Sequence, residues 1–62
     1  MHTPNAMKRI ATETDAFGSC PFPGFMFDQM HMWEVEGFIT LNKSKTAAII
    51  TDKGRELAAK AK

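Results

Sequence analysis

Two short runs rich in β-branched and apolar side chains, Phe38-Ile39-Thr40-Leu41 and Thr46-Ala47-Ala48-Ile49-Ile50, flank four turn-forming residues, Asn42-Lys43-Ser44-Lys45. That pattern predicts a β-hairpin over 38–50. Gly37 precedes it and can end an upstream element. Thr51 follows it and is an N-cap residue, with Asp52 placed in the positive first turn of the next helix. From Arg55 to Lys62 the residues favour helix and carry cations toward the C-terminus, so a helix over 51–62 is expected, with Leu57 and Ala61 facing the core. Gly54 costs helix propensity, but in the first turn it lets the helix backbone approach the hairpin closely.

Upstream, Thr3-Pro4 offers a cap and a first helical residue. A short helix over about 4–12, within the first 15 residues, places Met7, Ile10 and Ala11 on one face. Residues 16–24 hold two prolines and two glycines and read as a structured loop. Within it Phe22-Pro23-Gly24-Phe25 suits a type II turn, with Phe17, Phe22 and Phe25 folding back onto the core. Residues 25–36 carry two competing periods. Met26, Met30 and Trp33 share a helical face, whereas Trp33-Glu34-Val35-Glu36 alternates as a strand would. Helix is the expected form and a strand at 33–36 its alternative. The whole chain, 1–62, therefore reads as one small α+β domain, with no internal repeat.

A chain of 62 residues buries only about 60% of the surface its unfolded form exposes, so oligomerisation or a bound partner would add stability. One cysteine and two histidines give neither an intramolecular disulfide nor zinc-ligand spacing, so no metal and no cofactor are expected. The longest apolar run, Ala47 to Ile50, is far below the roughly 20 residues of a membrane span. Lys8 and Arg9 lead into Thr12, Glu13, Thr14 and Asp15, which does not resemble a secretory signal. A cytoplasmic setting follows from these readings. No phosphate-binding glycine loop, nucleophile elbow or metal-binding helix motif is present, which points to a non-enzymatic protein. His31 has Glu34 three residues on and reads as a surface histidine. Cys20 has no cation or histidine beside it in sequence and reads as a small, partly buried apolar residue.

The stretch Trp33-Glu34-Val35-Glu36-Gly37-Phe38-Ile39, followed after the hairpin by Ile50-Thr51-Asp52-Lys53-Gly54-Arg55-Glu56-Leu57, resembles the winged-helix proteins of bacterial transcription regulation. The resemblance covers about residues 26–62. It implies a winged-helix-like domain in which a helix ends at Gly37, the hairpin forms a wing, and an apolar-Thr-x-Lys-Gly-Arg stretch begins the last helix. The family usually places two helices before its recognition helix, whereas residues 1–24 have room for one short helix and a loop.

Charge is unevenly distributed. Residues 13–36 carry Glu13, Asp15, Asp28, Glu34 and Glu36 and no Lys or Arg, while residues 43–62 hold six cations against two carboxylates. An acidic recognition helix repels phosphate, which weakens major-groove reading. Two functions are therefore carried forward. The first is a small regulatory or inhibitory protein, of bacterial or phage type, that binds a larger cytoplasmic protein such as one of the transcription machinery. Its surface is the cluster Phe22, Phe25, Met26, Phe27, Met30, Met32 and Trp33, where adaptable methionines and aromatic anchors suit an interface. The competing account makes that cluster the core. The second function is nucleic-acid binding, with phosphate contacts from Lys43, Lys45, Lys53 and Arg55 and a homodimer supplying the missing area. Ordinary solvated lysines are the competing account there.

Overall fold

Asn42 organises the hairpin through its side chain. Its Oδ1 accepts hydrogen bonds from the backbone N–H groups of Thr46 and Ala47 at 2.8 and 3.1 Å, and its Nδ2 donates to the Thr46 hydroxyl at 3.2 Å. The turn closes with Lys45 N–H on the Asn42 carbonyl at 2.9 Å. The flanking strands follow from this closure. In the computed structural model, which describes residues 3–60, they are β2 (Ile39–Leu41) and β3 (Ala47–Ile50), paired antiparallel with Ile39 opposite Ile50.

Helix α2 (Phe27–Glu36) precedes the hairpin, so the helical period of residues 25–36 prevails over the alternating one. Packing decides this: Met30 and Trp33 are buried in the core, and Met26 packs against it. Gly37 ends the helix in a left-handed conformation, φ 90°, which glycine adopts without a Cβ penalty. Its N–H bonds the Glu34 carbonyl and the Phe38 N–H bonds the Trp33 carbonyl, both at 3.0 Å, completing a Schellman closure.

Helix α3 (Asp52–Ala58) starts as its sequence predicts. The Thr51 hydroxyl accepts the Gly54 N–H at 3.1 Å and lies within donating distance of the Gly37 and Phe38 carbonyls, at 2.6 and 2.8 Å. Gly54 is buried against the hairpin: a Cβ there would run into the Phe38 carbonyl oxygen and stand 2.6 Å from Ile50 Cδ1. Leu57 is half-buried against the core, while Ala61 lies outside the described residues.

The N-terminal half departs further from expectation. Helix α1 runs Thr3–Phe17 and does not stop near residue 12. Thr3 lies within the helix and not outside it as the expected cap. Three consecutive side chains beyond the expected helix each tie α1 to a different element. Glu13 accepts from the Cys20 thiol at 3.0 Å, Thr14 Oγ1 accepts from Ile50 N–H at 3.3 Å, and Asp15 pairs with Arg55. Residues Cys20–Pro21, expected as loop, form β1, which pairs with β3 opposite Ala48 and Ala47 and completes the sheet order β1-β3-β2. Proline is tolerated because β1 is an edge. The type II turn does not form. Gly24 has no positive φ, and Gly24–Met26 make a single 3-10 turn entered from Pro23, with Met26 N–H bonded to the Pro23 carbonyl at 2.9 Å.

The result is an α+β fold, three helices and a three-stranded antiparallel sheet among the described residues, with a hairpin between helices. Ala6, Met7 and Ile10 of α1, Cys20, Met30, Trp33, Ile39, Ala48 and Ile50 form the core. No described helix is long and apolar enough to cross a membrane.

Gly54→Ala is expected to lower unfolding stability by about 3 kcal/mol, the upper end of overpacking, and Thr51→Ala by about 1–2 kcal/mol. Gly24→Ala, with nothing near its Cβ position, serves as the control and should cost nothing or stabilise by about 0.4–1 kcal/mol. Urea titrations with an unchanged slope measure all three. Equal stability of the Gly54→Ala and Gly24→Ala proteins would refute the close approach.

Candidate functional site

Helix α2 is apolar on two opposite sides. One side, Met26, Met30 and Trp33, faces the core. On the other, Met32 and Val35 stand 59% and 73% exposed, and Phe25, in the 3-10 turn seven residues before Met32, is 87% exposed. Positions three, four and seven apart share a helical face. Asp28, four residues before Met32, and Glu36, four after, are exposed on that same face. The outward surface is therefore an apolar stripe interspersed with two carboxylates.

The seven residues expected to form a protein-binding surface are divided by this geometry. Met30 and Trp33 are core, which corrects their assignment to the surface: both are buried, while Met32, at a different helical phase, is exposed. Phe22 and Met26 pack against the core and are only partly exposed. Phe27 is half-buried and stacks on His31, ring centroids 5.9 Å apart and 11° from parallel. Phe25 and Met32 remain outward. Phe25 and Phe17, the latter 76% exposed, do not fold back onto the core. Val35, which sequence reading did not single out, joins the stripe; its spacing of three from Met32 was the available signal.

The His31–Glu34 flank of α2 is structurally engaged. His31 Nδ1 stands 3.6 Å from Glu34 Oε1, and Glu34 Oε2 accepts the Leu41 N–H at 3.2 Å, joining α2 to β2. Among the described residues no group of three His, Cys, Asp or Glu is placed to hold a metal ion.

A separate cleft of about 90 Å³ opens between α1, β1 and the 3-10 turn. Ile10, Cys20, Met30 and Trp33 line it together with Arg9, Phe22, Pro23 and Met26. It is smaller than the cavities of about 150 Å³ that admit benzene. Cys20 is buried here, more so than its sequence reading allowed. Burial, reinforced by the hydrogen bond to the Glu13 carboxylate, pushes its thiol up to about 11, outweighing the opposing effect of Arg9. A neutral thiol is a poor nucleophile.

The four cations expected to contact nucleic acid are also divided. Lys53 Nζ donates to the Glu36 carbonyl at 2.9 Å, at the negative end of α2, and stands 5.2 Å from the Phe38 ring centre. Arg55 holds Asp15 in a two-pronged pair, Nη2 to Oδ1 at 2.7 Å and Nη1 to Oδ2 at 3.2 Å, which fastens α3 to α1. That hydrogen-bonded pairing lowers the Asp15 pKa and raises that of Arg55. Lys43 and Lys45 are exposed at the hairpin tip, and Lys45 occupies the left-handed region at φ 57°.

Comparison with protein-family models, with curated proteins and with solved structures finds no significant match.

Because the folded Cys20 thiol lies above its ordinary 9.0, the stability it contributes is complete below that pH and disappears as pH rises toward about 11. The folded chain should weaken across this interval, and a Cys20→Ala variant should lack that component, as read by urea titration at the two ends. Identical losses in both proteins would rule out the neutral buried thiol.

Proposed function

We propose that this chain is a small regulatory or inhibitory binding module that acts on a larger cytoplasmic protein through the outward face of α2, with Phe25, Met32 and Val35 as its apolar contacts. The observation that carries this reading is the two-sided apolarity of α2. A helix that only closed a core would be polar on its far side, whereas here Met32 and Val35, with Phe25 in the preceding 3-10 turn, remain in water. Large apolar side chains left exposed on one face and rimmed by polar groups mark interaction sites. The carboxylates on the same face oppose docking of α2 into nucleic acid.

The winged-helix resemblance enters as part of the same proposal. A helix closed by glycine, a hairpin and a Thr-capped helix succeed one another from Phe27 to Ala58 as the resemblance implies, and such domains serve protein recognition as well as DNA reading. In this chain the former use fits better, because α2 has no Lys or Arg.

A second reading, phosphate contact through the hairpin tip, has one observation in its favour: Lys45 is held in a left-handed conformation that a lysine rarely adopts. Lys53 and Arg55 support it less, since both already hold internal partners.

Capture experiments from native extract separate the two. A Met32→Ser/Val35→Ser protein should fold with stability within about 0.5 kcal/mol of the parent yet lose the captured protein, while Lys43→Glu/Lys45→Glu should retain it. The opposite pattern, together with low-salt retardation of duplex DNA that only the lysine variant abolishes, would replace the first reading with the second.

A further inference from the structure

Resting on the reading of α2 as a protein-binding face, we infer that its partner presents a basic amphipathic helix: apolar side chains between two Lys or Arg groups set about 12 Å apart. The spacing follows from α2 itself. Asp28 and Glu36 are eight residues apart, and at roughly 1.5 Å per residue they stand about 12 Å from one another along the axis. Met32 lies midway between them, with Val35 beside it and Phe25 one turn before Asp28. Both carboxylates are exposed. No Lys or Arg lies on α2, and Lys53 bonds the Glu36 main-chain carbonyl.

This charge pattern selects among occupants. A second copy of the chain fits poorly. Two α2 stripes meeting about a two-fold axis set Asp28 against Glu36 when antiparallel, or each carboxylate against its own equivalent when parallel. Like charges meet in both. An anionic lipid surface and a nucleic acid are repelled for the same reason. A cationic helix meets both requirements, because the rows of side chains on α2 form a ridge that packs into the groove of another helix. With a face only ten residues long, the interface falls below the standard size and binding is weak and salt-dependent. Exposed ion pairs add about three-fold each in affinity.

The test uses two synthetic amphipathic peptides with the same leucine stripe, one flanked by Lys and one by Glu, each labelled and titrated with the full chain by fluorescence anisotropy. The Lys-flanked peptide should bind at least ten-fold more tightly than the Glu-flanked one and weaken as salt is raised. Asp28→Asn/Glu36→Gln should cost about ten-fold, and Met32→Ser/Val35→Ser should abolish binding. Equal binding of the two peptides through Met32 and Val35 would overturn the charge inference and leave the protein-binding reading intact. Binding indifferent to Met32→Ser/Val35→Ser, or no binding of either peptide, would overturn the inference. The protein-binding reading itself fails separately, when native extract yields nothing that depends on Met32 and Val35.

Discussion

The end of α2 and the start of α3 meet at one junction, where the Gly37-Phe38 backbone is met by Thr51 and Gly54. The Thr51 hydroxyl caps α3 through the Gly54 N–H and reaches the carbonyls of Gly37 and Phe38, while the Thr51 N–H also bonds the Phe38 carbonyl at 3.1 Å. Without a side chain, Gly54 lets the helix backbone lie directly on that carbonyl. Lys53 then reaches the last turn of α2. One small cluster thus terminates α2, extends the β2–β3 ladder and orients α3. A chain of this length, with a core of mostly medium-sized side chains, has few alternative ways to fix three helices around three short strands.

Fixing α2 at that end determines which of its faces is available. Its inner side is held by Met30 and Trp33 in the core and by Glu34 on the Leu41 amide. What remains outward is the Phe25-Met32-Val35 stripe with its two carboxylates. The cations of the C-terminal third are drawn into the fold by the same packing: Lys53 serves α2 and Arg55 serves Asp15 of α1. The local positive charge visible in the sequence is therefore partly neutralised in the structure, and Lys43 and Lys45 stand exposed at the hairpin tip. Anionic character on α2 and internal pairing of Lys53 and Arg55 favour a protein partner for the same physical reason.

Local chemistry made the second half of the molecule legible in sequence. Turn residues, β-branched strands, Gly37 and the Thr51 cap act over a few residues, so the hairpin and the capped start of the last helix form as read, although that helix, expected over 51–62, ends at Ala58. The first half depends on contacts between distant residues. Glu13, Thr14 and Asp15 extend α1 past the expected helix because Cys20, Ile50 and Arg55 lie beside them from elsewhere in the chain. The two-residue β1 exists only because β3 offers it an edge. For the candidate site, composition marked out a segment but not its sides. Seven apolar residues in a row of twelve could not all be buried or all be free, and the helical phase assigned Met30 and Trp33 inward and Met32 outward.

The account stands on that sidedness, which the methionines report directly. With methionine methyl groups labelled by carbon-13, a soluble nitroxide broadens each resonance according to its access to solvent. The Met32 signal should broaden strongly while Met7 and Met30, both buried, stay sharp, with Met26 between them. Protection of Met32 equal to that of Met30 in the monomeric chain would contradict the outward apolar face, and with it the proposed mode of action.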